Sequence, residues 1–150
     1  SPNREKMLML TEPRITLDAA WNTPDSRIVQ QHLMAYNQAA VGEDHYTPLH
    51  LIAYDDSNAV IGGLLGVTYW NWLELNILWL REDLRGQGLG SRLLGMAEAE
   101  AVRRGCGRAH LDTFDFQALG FYQKHGYSIF GQLDDQPAGH TRYYLRKTLT

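Results

Sequence analysis

Apolar and polar residues alternate from Leu73 to Ile77 and an apolar run continues to Leu80, so that in a strand Leu73, Leu75, Ile77 and Trp79 fall on one face and Glu74, Asn76, Leu78 and Leu80 on the other. Upstream, Leu49–Tyr54 and Ala59–Tyr69 read as two further strands joined by the turn residues Asp55-Asp56-Ser57-Asn58. Gly62, Gly63 and Gly66 within the second predict a bulge or a close backbone approach. Trp70-Asn71-Trp72 supplies the next turn or its flank. Leu8, Leu10, Ile15 and Leu17 suit a first strand from around Met7, with Pro13 marking an edge or a bulge.

Helical spacing replaces alternation in two long stretches. Thr23-Pro24 reads as N-cap and first helical residue, followed by Val29, Leu33, Tyr36 and Ala40 on one face and by Gly42 as the stop. Leu89, Leu93, Ala97 and Ala101 repeat the pattern, with Arg103 and Arg104 suited to a helix C-terminus and Gly105 to its cap. Arg108–Phe114 is the next strand. Its helical connection to Leu73–Leu80 makes the two strands parallel neighbours. A shorter helix over Gln117–His125, capped by Asp115 or the polar turn around it and ended by Gly126, precedes strands at Tyr127–Gly131 and His140–Leu145. The acidic turn Asp134-Asp135-Gln136-Pro137 joins those two. The expected fold is α/β: a mixed, mostly antiparallel sheet with one parallel β-α-β unit and flanking helices, in a single domain over residues 1–150.

Composition narrows the chemistry. A chain of 150 residues with 44% hydrophobic and 11% aromatic content can bury a substantial core. Its net charge of −3 and lack of a long basic cluster give no nucleic-acid footprint. The chain has no apolar run of membrane-spanning length, and its apolar start is too short for a secretory leader. One cysteine, Cys106, precludes an internal disulfide and suits a reducing cytoplasm. The six histidines have no metal-ligand spacing, so no metal is expected.

Between strand Leu73–Leu80 and the helix after it stands Arg85-Gly86-Gln87-Gly88-Leu89-Gly90. Glycines at alternate positions before a helix allow positive φ and bring an anion close to the unpaired N–H groups of the first helical turn. Arg85 and Arg92 flank the loop and add charge-assisted contacts to phosphate. The string matches neither a P-loop nor the dinucleotide fingerprint G-x-G-x-x-G. It fits Arg/Gln-x-x-Gly-x-Gly/Ala, and about thirty residues later Phe121-Tyr122-Gln123-Lys124-His125-Gly126-Tyr127 resembles F-Y-x-x-x-G-F/Y. Together the two motifs resemble the GNAT superfamily of acetyl-CoA-dependent N-acetyltransferases.

That resemblance implies acetyl-CoA as co-substrate and direct attack of a primary amine on its thioester. The implied cofactor-binding residues are Leu78, Trp79 and Leu80 on the strand, and Arg85, Gly86, Gln87, Gly88, Leu89, Gly90, Ser91 and Arg92 in the loop and first helical turn. Gln117 and Tyr122 complete the set, with Asp115 the alternative to Gln117 or, as a single role, a helix cap. Tyr122 corresponds to the tyrosine that protonates, or hydrogen-bonds, the departing sulfur; the other reading of it is a packed core aromatic. Glu74 and Asp112 are the two candidate bases, and water without a dedicated base is the third alternative. Tyr127 reads as packing.

The acceptor is a small-molecule or peptide amine, and the acidic residues Glu43, Asp44, Glu74, Asp112, Asp134 and Asp135 suit a cationic one. Trp70 and Trp72 suit a stacking or cation–π wall, and the alternative for both features is ordinary surface charge and core or dimer packing. A rival reading keeps acyl-CoA binding without turnover, as in a sensor. An exposed sheet edge would allow a homodimer.

Overall fold

The computed structural model describes residues 12–150. The chain divides into two compact units, one ending at Gly42 and one running from Glu43 to Thr150. In the first, helix α1 spans Pro24–Val41. The Thr23 side chain accepts the Ser26 N–H at 3.1 Å, proline opens the helix, and Gly42 closes it at φ +82°. Leu8 and Leu10 of the expected first strand lie outside the described residues. Ile15 and Leu17 fall in irregular chain, where Pro13 has removed a ladder donor.

The second unit is a six-stranded sheet in the order β1-β2-β3-β4-β6-β5. Its strands are β1 (Thr47–Tyr54), β2 (Val60–Tyr69), β3 (Trp72–Leu80), β4 (Arg108–Phe114), β5 (Ser128–Asp134) and β6 (Thr141–Thr148). Helix α2 (Leu89–Arg103) links β3 to β4, which pair in parallel, and α3 (Leu119–Lys124) follows β4. All other pairings are antiparallel. The expected mixed sheet with a parallel β-α-β unit is therefore present. Helix α3 starts later than Gln117, and β5 and β6 extend beyond the expected ends.

Leu93, Leu94, Ala97 and Ala101 of α2 pack on one face of the sheet, against Leu64, Leu73, Leu75, Ala109, Leu111 and Leu145. The side chains of Leu64, Leu73, Leu94 and Leu145 are sealed completely. Truncating one of these leucines to alanine would cost about 2–5 kcal/mol.

One irregularity corrects the alternation read from the sequence. Leu65 pairs with Ile77 but Gly66 pairs with Leu75, so Asn76 is an extra, bulged residue in β3. The bulge reverses the face order beyond it. Leu73 and Leu75 are buried, and Leu78 and Leu80 pack against the same core, while Ile77 and Trp79 are about half exposed. Glu74 therefore shares its face with Ile77 and Trp79, not with Leu78 and Leu80. Gly66 permits this geometry, because a Cβ there would stand 2.7 Å from the Glu74 carbonyl oxygen.

Strand β4 pairs with β3 only from Trp72↔Arg108 to Leu75↔Leu111. Beyond the bulge the two strands diverge, while β4 stays bonded to β6 as far as Phe114↔Arg142. The mixed sheet thus opens at its one parallel pair.

Candidate active site

The opening between β3 and β4 is a cleft of about 770 Å³. Its wall along β3 is made of backbone. Arg81 N–H donates to Ile61 C=O at 2.9 Å, which fixes the alternation of the antiparallel β2–β3 ladder. Residues 79 and 77 then bond to β2, and the N–H and C=O groups of Leu78 and Leu80 point the other way, where β4 has departed. The Leu80 carbonyl accepts Arg85 Nε at 3.3 Å. Trp79 spends its main chain on β2 and offers the cleft only its ring.

At the end of β3 the glycine loop enters α2. Gly86 and Gly88 have φ of +75° and +87°, with open space where a Cβ would stand, so the backbone conformation itself selects glycine. Gly88 is the N-cap, no side chain caps the helix, and the first intrahelical bond runs from Arg92 N–H to Gly88 C=O. The N–H groups of Leu89, Gly90 and Ser91 are thereby left without intrahelical partners at the positive end of the helix dipole. Gly86, Gly88, Gly90 and Ser91 all border the cleft, as does Arg85. Gln87 turns its amide back to Asp83 C=O at 2.9 Å and stiffens the loop. Arg92 is exposed and does not reach the cleft.

Tyr122 comes from α3 and is 8% exposed. Burial, with the Asp112 charge adding to it, pushes its phenol up to about 12, so it stays protonated at neutral pH. Its hydroxyl bonds no described residue, yet no buried side-chain oxygen among them lacks a partner, so the hydroxyl opens to the cleft. Tyr127, also buried, donates to Glu98 at 3.1 Å, and Glu98 also holds Lys147 at 2.8 Å. It is a packing residue.

The two candidate bases differ. Asp112 lines the cleft, but its Oδ1 accepts both Nε and a terminal nitrogen of Arg142, at 2.9 and 2.8 Å. Glu74 does not line the cleft. It accepts Tyr69 Oη at 2.8 Å and Asn76 Nδ2 at 3.4 Å, and it has no cationic partner among the described residues. Hydrogen bonding to Glu74, then burial, raises the Tyr69 phenol to about 12. The bulged Asn76 stands between Glu74 and the cleft it borders.

Gln117 borders the cleft, and its Oε1 accepts Thr113 Oγ1 at 3.2 Å and Phe114 N–H at 3.0 Å. Asp115 is not a helix cap: it binds His140 Nδ1 at 2.7 Å and Thr141 N–H at 2.9 Å, and Ala118 is the N-cap of α3. The carboxylate finds its donors at His140 and at the first residue of β6 rather than at a short helix start. Sequence reasoning missed Asn76, Phe121, Lys124 and His125, all of which border the cleft. His125 Nε2 lies 3.0 Å from Ser91 Oγ, joining the ends of α2 and α3 across thirty-four residues. Among the described residues no cluster of metal-binding side chains forms and no helix is long and apolar enough to cross a membrane. Burial raises the Cys106 thiol, which disfavours the reactive thiolate.

Residues 10–127 match the model of the acetyltransferase (GNAT) family. An acetyltransferase of Agrobacterium fabrum is 38% identical over 121 residues, spanning 81% of this chain and 88% of its own. The blasticidin-S acetyltransferase of Streptomyces morookaense is 43% identical over 98 residues, 65% of this chain and 72% of that one. A crystal structure of an acetyltransferase from Agrobacterium tumefaciens superposes with a TM-score of 0.85 at 34% identity, covering 91% of this chain and 99% of its own.

Proposed function

The chain belongs to the GNAT acetyltransferase family, and from that premise we propose that it transfers the acetyl group of acetyl-CoA to a primary amine within a ternary complex. One observation carries the reading. The open edge of β3, the unpaired N–H groups at the start of α2 and the Tyr122 hydroxyl all face a single cleft.

The residues fit the co-substrate. The N–H groups of Leu89, Gly90 and Ser91, with Arg85, suit a pyrophosphate. Leu78 and Leu80 offer strand-edge groups to an amide-bearing pantetheine arm. Acetyl-CoA supplies an acyl group activated as a thioester. The Leu78 N–H would face the carbonyl oxygen as negative charge builds there. The amine nitrogen forms the new C–N bond, the C–S bond breaks, and the amine's proton leaves to a base. Tyr122 donates to the departing sulfur; its raised pKa fits a hydrogen-bond donor that keeps its proton until thiolate charge develops.

Glu74 is the favoured base, acting through water past Asn76, because no cation neutralises it. Asp112, held by Arg142, is assigned to fixing the end of β4 beside Tyr122. The relative that acts on blasticidin-S favours a small antibiotic-like amine as acceptor.

The reading is tested by thermal unfolding with acetyl-CoA and by thiol release against a panel of amines. Saturation at one hundred times the dissociation constant would add about 2.7 kcal/mol of stability. Stabilisation with amine-dependent thiol release supports the reading; no stabilisation refutes it.

A further inference from the structure

On the sheet face away from α2 lies a second hollow, of about 350 Å³. Its walls are Tyr69, Trp70, Trp72 and Phe130, with His110 and Arg146 at the side. Trp70 and Asn71 form the two-residue turn between β2 and β3 with φ of +44° and +64°. Such a turn suits Asn-Gly, and a bulky ring at its first position is an outlier that no local requirement explains. The strain places an indole against Tyr69, ring centres 5.8 Å apart, at the rim of the hollow.

Two of the π surfaces already carry cations. Arg108 lies 5.7 Å from the Trp72 ring centre and Arg146 lies 5.5 Å from that of Phe130. The hollow is therefore better suited to a flat ring than to another cation. It also lies on the same strands as the acetyl-transfer cleft, two residues before it on β4. Glu74 pairs with His110, so Trp72, Glu74, His110 and Asp112 share one face. Asp112, about 7 Å along β4 from His110, borders the cleft. Between the two hollows stands Glu74, the carboxylate without a cation.

We propose that this hollow holds a flat conjugated ring of the amine acceptor, with Glu74 receiving the acceptor's amine and Arg146 an electron-rich or anionic substituent of the ring. The assignment rests on the amine-acetylation reading and names the acceptor class for it.

The test compares arylalkylamines with cyclohexylalkylamines of equal chain length as acceptors, in the wild type, Trp70→Gly and Trp72→Leu. Stacking predicts a preference for the aryl series of about tenfold in kcat/KM, within the range that ring stacking contributes elsewhere. Trp70→Gly removes the ring and the φ strain together. The aryl preference then falls severalfold while Tm holds or rises, a combination that a merely structural tryptophan would not give. Equal kcat/KM for the two series in the wild type, or a preference that survives both substitutions, overturns the proposal. Amine-dependent thiol release without ring preference removes this site alone; absence of release from every amine removes the acetylation reading and this inference with it.

Discussion

The cleft beside β3 and the aromatic hollow at the start of the same strand are built from different material. The cleft offers main-chain groups: the turned-out edge at Leu78 and Leu80 and the first N–H groups of α2. The hollow offers side chains collected from β2, β3, β4, β5 and β6. A backbone site depends on conformation and tolerates changes of side chain, so it suits a ligand that never varies. A side-chain site can be rebuilt one ring at a time, so it suits the partner that distinguishes one enzyme from its relatives.

The largest expected effect breaks the rule that the cleft is all backbone. Tyr122→Phe removes the side chain assigned to the departing sulfur, and kcat should fall about 10²- to 10⁴-fold with little change in KM for acetyl-CoA, as read by steady-state thiol release. A loss below about threefold would make Tyr122 a packing residue. Next comes Gly88→Ala, which puts a Cβ on a residue at φ +87°. The strain costs about 1–2 kcal/mol, and KM for acetyl-CoA should rise more than KM for the amine; a rise confined to the amine would move the cofactor elsewhere.

A pH effect follows from two phenols whose ionisation the fold disfavours, Tyr122 by burial and Tyr69 by its hydrogen bond to Glu74. Tyr122 and Tyr69 titrate near 12 in the folded protein, against about 10 in an unfolded chain. Their contribution is complete below pH 10 and is lost as pH rises toward 12, because the unfolded chain ionises first. Tm measured from pH 8 to 12 should fall across that window, and less steeply in Tyr122→Phe. The smallest expected effect belongs to Leu78→Met. It keeps the strand edge and the approximate volume, so stability should change by less than about 1.5 kcal/mol and KM for acetyl-CoA by less than about threefold.

The same contrast explains what could be read from the sequence. A backbone site leaves its mark as glycine, and Gly86, Gly88 and Gly90 with Phe121-Tyr122 were visible as strings. The strands and α2 were legible because their apolar periods are unbroken. The bulge was only half legible: Gly66 predicted a bulge or a close approach, but the apolar run Ile77–Leu80 leaves the frame of β3 open, and only pairing with Gly66 reveals that Asn76 is extra. That one residue moved Glu74 off the face assigned to Leu78 and Leu80. Asp115 and Ser91 likewise have partners 25 and 34 residues away, beyond the reach of local spacing rules. The aromatic hollow draws on positions 69, 70, 72, 110, 130 and 146, which share no string.

Position 76 therefore acts as a reading frame for the protein's geometry. A chain lacking Asn76 would keep every motif residue. Yet the β2–β3 ladder would run on without a bulge, the same residues keeping each face, and β3 would lose the irregularity at which it parts from β4, so that the edge at Leu78 and Leu80 would be drawn into the sheet. A deletion of one uncharged, exposed residue would thus silence the site more thoroughly than many substitutions inside it.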